Sequence, residues 1–166
     1  MNSGCFKKEF KDFLISIQVV DFKGLVRSIP ANKISFNYRS IELPKDLIFL
    51  SATFKGKQKN SEEINNYMTE LKTIKNMAQP TKIKTGGSTF KNPISQTDKK
   101  VWELIKSSVS QEISYGDAVI SKKHANFFVN KKNAKAADMK SLINFVKKKV
   151  KDQTGIKLEL EIVVVE

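Results

Sequence analysis

Thr85-Gly86-Gly87-Ser88-Thr89-Phe90-Lys91-Asn92-Pro93 is the stretch on which the organisation of this chain turns. Two glycines let the backbone take positive φ and approach a ligand closely, Ser88 follows with a hydroxyl, and Asn92-Pro93 closes the segment. Being short and broken, Gly86 to Pro93 is expected to be a loop that presents side chains. Spacing alone leaves two readings open, a plain turn and a ligand loop. Neither G-x-x-x-x-G-K-S/T nor G-x-G-x-x-G occurs anywhere, which argues against a P-loop or a Rossmann site.

Outward from that loop the pattern is mixed. Upstream, Ile15, Ile17 and Val19 alternate with Ser16 and Gln18, so Phe13 to Val20 reads as a strand with one buried face. Asp21-Phe22-Lys23-Gly24 reads as a turn and Leu25 to Ile29 as the returning strand of a hairpin, with Leu47 to Phe54 a third strand. Asn60 followed by Glu63 resembles a capping box, and Ile64, Tyr67, Met68 and Leu71 recur at helical spacing, predicting a helix from about Ser61 to Met77 that Pro80 ends. Downstream, Val101, Trp102, Leu104 and Ile105 suggest a shorter helix, and Tyr115 to Ser121 and Asn126 to Asn130 suggest short strands with His124 at the bend between them. Met139, Ile143, Val146 and Val150 give one apolar face to a helix from about Lys135 to Asp152, stopped by Gly155. Leu158 to Val165 is expected to be a final strand, with Leu158, Leu160, Ile162 and Val164 on one face and Glu159, Glu161, Val163 and Val165 on the other. The expected fold class is therefore α+β.

Composition narrows the function classes. A chain of 166 residues with 40% hydrophobic content can bury one core or two small lobes. No run approaches the roughly 20 apolar residues that span a bilayer, and Met1 to Lys11 mixes charges with aromatics, so a cytoplasmic protein with no membrane partner is expected. Cys5 and His124 are the sole cysteine and histidine, which leaves no Cys/His cluster for zinc and no internal disulfide. The net charge of +13 favours a polyanionic partner on its face. Yet only Arg27 and Arg39 are arginines, the lysines are dispersed, and the strand aromatics do not interleave with basic residues as a stacking platform for bases would. A nucleic-acid partner is not expected.

Three side chains stand out for chemistry. Arg39 carries a planar fork suited to a carboxylate or a diphosphate, although a strand-edge ion pair would use it equally well. Glu161 is either a partly buried carboxylate or a solvated one near the end of the chain. His124 at a strand junction reads as a structural hydrogen-bonding group before it reads as a catalytic base.

Taken in order, Met1-Asn2-Ser3-Gly4-Cys5, Phe36-Asn37-Tyr38-Arg39, Gln79-Pro80, Thr85 to Pro93, Lys123-His124-Ala125-Asn126-Phe127-Phe128-Val129-Asn130, Ala136-Ala137-Asp138 and Leu158-Glu159-Leu160-Glu161-Ile162 resemble the C-terminal part of the bacterial UDP-N-acetylenolpyruvoylglucosamine reductases. The resemblance spans nearly the whole chain, and its Gly-Ser-Thr-Phe-Lys-Asn-Pro core is its most specific part. It implies residues 1–80 as the remainder of a two-lobed flavin-binding domain and 81–166 as a small C-terminal α/β domain for substrate binding and catalysis. It also implies FAD and NADPH as cofactors and a UDP-sugar as substrate: the enolpyruvyl sugar nucleotide is reduced to UDP-N-acetylmuramate, a peptidoglycan precursor. Ser88 is implied as the proton donor, Arg39 as the cation that steadies an enolate-like intermediate, and Glu161 as its hydrogen-bonding partner. Asn2 and Gly4 fall at cofactor-binding positions, and Tyr38, Lys91 and Asn92 at substrate-binding ones.

Departures qualify these implications. In the family, the stretch corresponding to Met1 to Gly4 lies in mid-protein, after the glycine-rich segments that wrap the FAD pyrophosphate. This chain alone is therefore expected to hold FAD weakly or not at all, and a separately supplied N-terminal flavin-binding half is the expected partner. Asp117 replaces a second glycine of the family pattern, and Ser107 to Ser114 follows that pattern poorly. A non-catalytic remnant that still binds a UDP-sugar stays open as the alternative, with a basic nucleic-acid module behind it.

Overall fold

The computed structural model describes residues 1–81 and 83–165. Backbone contacts separate the chain into Met1–Asn60 and Ser61–Glu166. The break falls upstream of the boundary expected at residue 80, because the helix placed in the first lobe groups with the second. Both units mix helices or 3-10 turns with antiparallel strands, so the α+β class holds.

The first unit opens with a two-residue hairpin, β1 (Gly4–Cys5) and β2 (Lys8–Glu9), turned by Phe6 and Lys7 at φ of 51° and 60°. Two successive left-handed residues match the strand twist as in a type I′ turn. The alternating run then forms β3 (Leu14–Asp21), which pairs antiparallel with β4 (Val26–Pro30) on one side. A later tight hairpin, β5 (Ser35–Asn37) and β6 (Ser40–Glu42), precedes β7 (Leu47–Phe54), the antiparallel neighbour of β3 on its other side. Asp21 seals the β3–β4 turn by accepting from the backbone N–H groups of Lys23 and Leu25, each at 3.0 Å. The core is thin: Leu14, Ile17, Val19, Ile34 and Leu47.

The second unit begins with α1 (Ser61–Ala78), which buries none of its side chains. The sheet runs in the order β8 (Lys84–Ser88), β11 (Phe127–Asn130), β10 (Ala118–Ile120), β9 (Ser114–Tyr115), all antiparallel. Against it pack α2 (Val101–Ser108) and α3 (Ala136–Thr154), through Leu104, Ile105, Leu142, Ile143, Val146 and Val150. Each helix starts with a carboxylate reaching back to a backbone N–H: Glu103 to Lys100 at 2.7 Å, and Asp138 to Lys135 at 2.8 Å. Gly155 closes α3.

Three expectations are corrected. The presumed loop over Gly86 to Pro93 begins inside β8, since Thr85 and Ser88 register opposite Val129 and Phe127. The presumed strand Tyr115 to Ser121 is a tight hairpin instead: Gly116, at φ 53°, turns the chain between β9 and β10, and Asp138 sits where any Cβ would be only 2.7 Å away. Leu158 to Val165 makes a single bridge, Leu160 to Phe90, and no ladder. Gly87 at φ 86° bends the backbone on one side and Asn92-Pro93 on the other, so only residues 89–91 run straight enough to pair. The faces sort as expected only as far as Ile162: Leu158, Leu160 and Ile162 pack on the core and Val163 and Val165 are 85% and 88% exposed, but Val164, expected on the core face, is 42% exposed, and Glu161, expected on the other face, is half-buried.

Candidate functional site

The Ser88 segment is held from both sides. Asn126, itself 3% exposed, brackets Phe90: its Nδ2 donates to the Phe90 carbonyl at 2.9 Å and its Oδ1 accepts from the Phe90 N–H at 3.0 Å. The Asn126 carbonyl takes the Thr89 N–H at 2.8 Å. A carboxamide thus does the work of a neighbouring strand, and Phe90 drops into the core edge-on to Phe128. Before it, the Thr85 hydroxyl donates to the Phe128 carbonyl at 2.7 Å, tying β8 to β11.

From the other side, Glu161 donates its N–H to the Thr89 carbonyl and Lys91 donates its own to the Glu159 carbonyl, each at 2.9 Å. Glu161 therefore lies across from Thr89, the residue after Ser88, and both Ser88 and Glu161 are half-buried. The fold brings together two candidates separated by more than seventy positions. Lys91 reaches the Glu159 carboxylate at 3.7 Å on a solvent-exposed edge, a loose pair. The Asn92 Oδ1 accepts the first N–H of α2, from Val101 at 3.0 Å, so this side chain anchors a helix.

The remaining candidates belong to the first unit. Tyr38 and Arg39 form the two-residue tip of the β5–β6 hairpin, and the guanidinium lies 4.9 Å from the Tyr38 ring centroid. Arg39 holds φ at 58°, a conformation that costs a non-glycine residue of order 1–3 kcal/mol and concentrates at functional sites. Asn2 is 1% exposed, with Nδ2 donating to Glu9 at 2.9 Å and Oδ1 accepting from the Lys11 N–H at 3.2 Å. The Lys11 ammonium bonds the Glu9 carboxylate at 3.0 Å; with Asn2, and with a smaller electrostatic contribution from Arg39, it holds that carboxyl below the usual glutamate range. Gly4 packs against Lys8, where an added Cβ would meet the carbonyl at 3.2 Å. Asn2 and Gly4 thus build the opening hairpin.

His124 sits at its bend with Nδ1 accepting the Asn126 N–H at 3.3 Å, which leaves the proton of the neutral ring on Nε2. Burial pushes its pKa below the ordinary histidine value, and Phe127 and Trp102 meet the ring edge-on. Among the described residues no group of three His, Cys, Asp or Glu could hold a metal, and no helix is long and apolar enough to cross a membrane. Asn126 is the residue that reasoning from pattern undervalued. Its signal was a polar side chain inside the run Ala125-Asn126-Phe127-Phe128-Val129, where burial demands partners.

A family model described as UDP-N-acetylenolpyruvoylglucosamine reductase, C-terminal domain, matches residues 79–165. The UDP-N-acetylenolpyruvoylglucosamine reductase of Pelagibacter ubique (strain HTCC1062) is 65% identical over 162 residues, 98% of this chain and 54% of that protein. The reductase of the same description from Rickettsia bellii (strain RML369-C) is 44% identical over 98% of this chain and 53% of its own length. The crystal structure of the corresponding reductase from Thermus caldophilus matches with a TM-score of 0.80 at 32% identity, over 97% of this chain and 56% of that one. The chain spans about half the length of the relatives it matches.

Proposed function

Because this chain belongs to the UDP-N-acetylenolpyruvoylglucosamine reductase family, whose C-terminal domain it carries, we propose that it supplies the substrate-binding and proton-donating part of such a reductase. FAD, held by an upstream half like the other half of its relatives, would be reduced by NADPH and deliver hydride to UDP-N-acetylglucosamine enolpyruvate. The product is UDP-N-acetylmuramate. One observation carries this reading: the backbone pairing that sets Glu161 across from Thr89, beside Ser88, within a segment clamped by Asn126.

The chemistry accounts for the residue types. Hydride added to the methylene carbon of the enolpyruvyl group leaves the electron pair on the neighbouring carbon, spread into the carboxylate. That charge needs a cation and hydrogen-bond donors, roles we assign to Arg39 and to the Glu161 region. A proton must then reach the same carbon, and Ser88 is the hydroxyl proposed to give it. Serine is a very weak acid, so the transfer needs a donor held rigidly against its acceptor, and the bonds of Thr85, Asn126 and Glu161 around the segment supply rigidity. Tyr38, Lys91 and Asn92 are proposed to line the approach of the anionic substrate. The Asn92 oxygen also serves α2, so this residue positions the helix start as well.

The test is reconstitution. Co-expressed with the upstream half of the Pelagibacter relative, the chain should give a yellow complex whose NADPH oxidation depends on the enolpyruvyl sugar nucleotide. Ser88→Ala should abolish product formation while the flavin stays bound. A complex indifferent to that change removes Ser88 as the donor, and a chain that no upstream half ever activates is a sugar-nucleotide-binding remnant instead.

A further inference from the structure

Lysines that stand in scattered pairs along the sequence gather in the fold on the solvent side of α3. Residues 131–157, which hold that helix and its two flanks, carry nine lysines against two aspartates, a net +7 of the chain's +13. Leu142, Ile143, Val146 and Val150 bury the opposite side of the helix. Lys140, Lys147, Lys148 and Lys151 stand at i, i+7, i+8 and i+11, so they form one row along the outer face. Lys140, Lys148 and Lys151 are exposed and Lys147 is half-buried. Lys149 flanks the row, its ammonium 5.8 Å from the Phe145 ring centroid. Lys147, Lys148 and Lys151 make no ion pair among the described residues. Of the two acids on the helix, Asp138 accepts the Lys135 N–H, and Asp152, four residues beyond Lys148, offsets one charge at the far end.

The rest of that face narrows the partner. Among the lysines it shows Ala137, Ser141 and Asn144, and none of the large apolar side chains exposed elsewhere lies on α3. A protein interface wants a buried aromatic or aliphatic anchor at its centre. Single-stranded nucleic acid is held by stacking aromatics and arginine forks, and the face has neither. A row of point charges without an anchor suits a surface whose negative charge is spread laterally, as it is over a layer of anionic lipid headgroups. We propose that the outer face of α3 docks on an anionic lipid surface through Lys140, Lys147, Lys148 and Lys151. The helix lies flat at headgroup level and comes off readily, since one basic patch without a lipid chain or an apolar wedge binds reversibly. The expectation of no membrane partner rests on the lack of an apolar span, and this contact needs none.

The test is co-sedimentation of the chain with vesicles of phosphatidylcholine alone, and of phosphatidylcholine with about 40% phosphatidylglycerol, at about 0.05 M and about 0.5 M salt. At low salt the anionic vesicles should take the chain at least about tenfold more strongly than the neutral ones, and high salt should release it. Lys147→Gln, Lys148→Gln and Lys151→Gln together should weaken that binding by at least about tenfold, each lost charge being worth about fivefold at the surface, with the unfolding temperature unchanged. Lys23→Gln, Lys33→Gln and Lys45→Gln together remove the same charge from exposed positions of the first unit and should weaken it by less than about twofold. On the unsubstituted chain, anionic vesicles should shield Lys140, Lys147, Lys148 and Lys151 from acylation more than Lys23, Lys33 and Lys45. The proposal is overturned if anionic vesicles leave the chain in solution, if neutral ones bind it as well, or if both triple variants weaken binding alike. It is equally overturned if the α3 lysines are acylated as fast with vesicles as without, or if a short single-stranded oligonucleotide binds the chain more tightly than the anionic vesicles do, which makes the face a nucleic-acid surface.

Discussion

The two units solve the same problem with unequal means. In Ser61–Glu166 a four-stranded sheet is covered by α2 and α3, and Ile105, Leu142, Val146 and Val150 lose all contact with water. In Met1–Asn60 a three-stranded sheet closes over five buried side chains and leaves Ile48, Phe49 and Leu50 about half exposed. An apolar cleft of about 340 Å³ remains there, lined by Phe10, Ile34, Phe36, Ile41 and Phe49 among others. Three strands with one poorly covered face sit near the lower limit of independent stability. The contrast teaches that a core is made by layers: apolar residues are plentiful in both units, but only the second has helices laid over its sheet.

Substitutions can break or sharpen that contrast. The largest effect is expected for Leu142→Ala, which empties a fully buried position between α3 and the sheet and should cost about 2–5 kcal/mol of the second unit's stability by chemical denaturation. A loss below about 1 kcal/mol would mean that this core is looser than its burial implies. Next comes Asn126→Ala, which leaves the Phe90 N–H and carbonyl without their bracket and should cost about 1–3 kcal/mol. Amide exchange should quicken first at residues 88–91, and uniform exchange across the sheet would contradict the clamp.

A smaller effect belongs to pH. The folded-state pKa of His124 lies below its ordinary value because burial disfavours the charged ring, so the unfolded chain takes up the proton first as pH falls. Stability from this residue is full above about pH 6.5 and declines below it, until the folded imidazole protonates too. Thermal unfolding followed between about pH 7.5 and pH 5.5 should show the second unit losing stability, and His124→Gln should flatten the decline. The smallest effect is expected in the first unit. Leu50→Ser alters a half-exposed side chain and should shift stability by no more than about 0.5 kcal/mol, so a cost several times larger would show that this face is better covered than its exposure indicates.

Much of the fold was legible because it is local. The period of two over Ile15 to Val19 and the apolar spacing of Ile143, Val146 and Val150 named their elements to within a residue or two. The opening hairpin was not legible, because Cys5-Phe6-Lys7-Lys8 has none of the Asn-Gly chemistry that announces a type I′ turn, yet Phe6 and Lys7 take its angles. The tail after Gly155 was mistaken for a strand because its alternation records only which side faces the core, while a strand also needs a partner ladder. For the candidate site, Ser88 and Glu161 came from motif and resemblance, and the apolar run around Asn126 showed that this side chain would need partners without showing that Phe90, beside Ser88, would supply them.

What the sequence determined by itself is the family and the chemical types available: a serine after two glycines, a scarce arginine, and a carboxylate in the closing apolar run. These are written in order along the chain and need no partner to be read. Only the tertiary structure decided that Glu161 lies across from Thr89, that Asn126 stands in for a strand, and that Trp102 and Lys106 share a cleft with His124. Contacts between distant segments depend on which backbone groups find partners once apolar faces are buried, and that competition is settled over the whole fold at once.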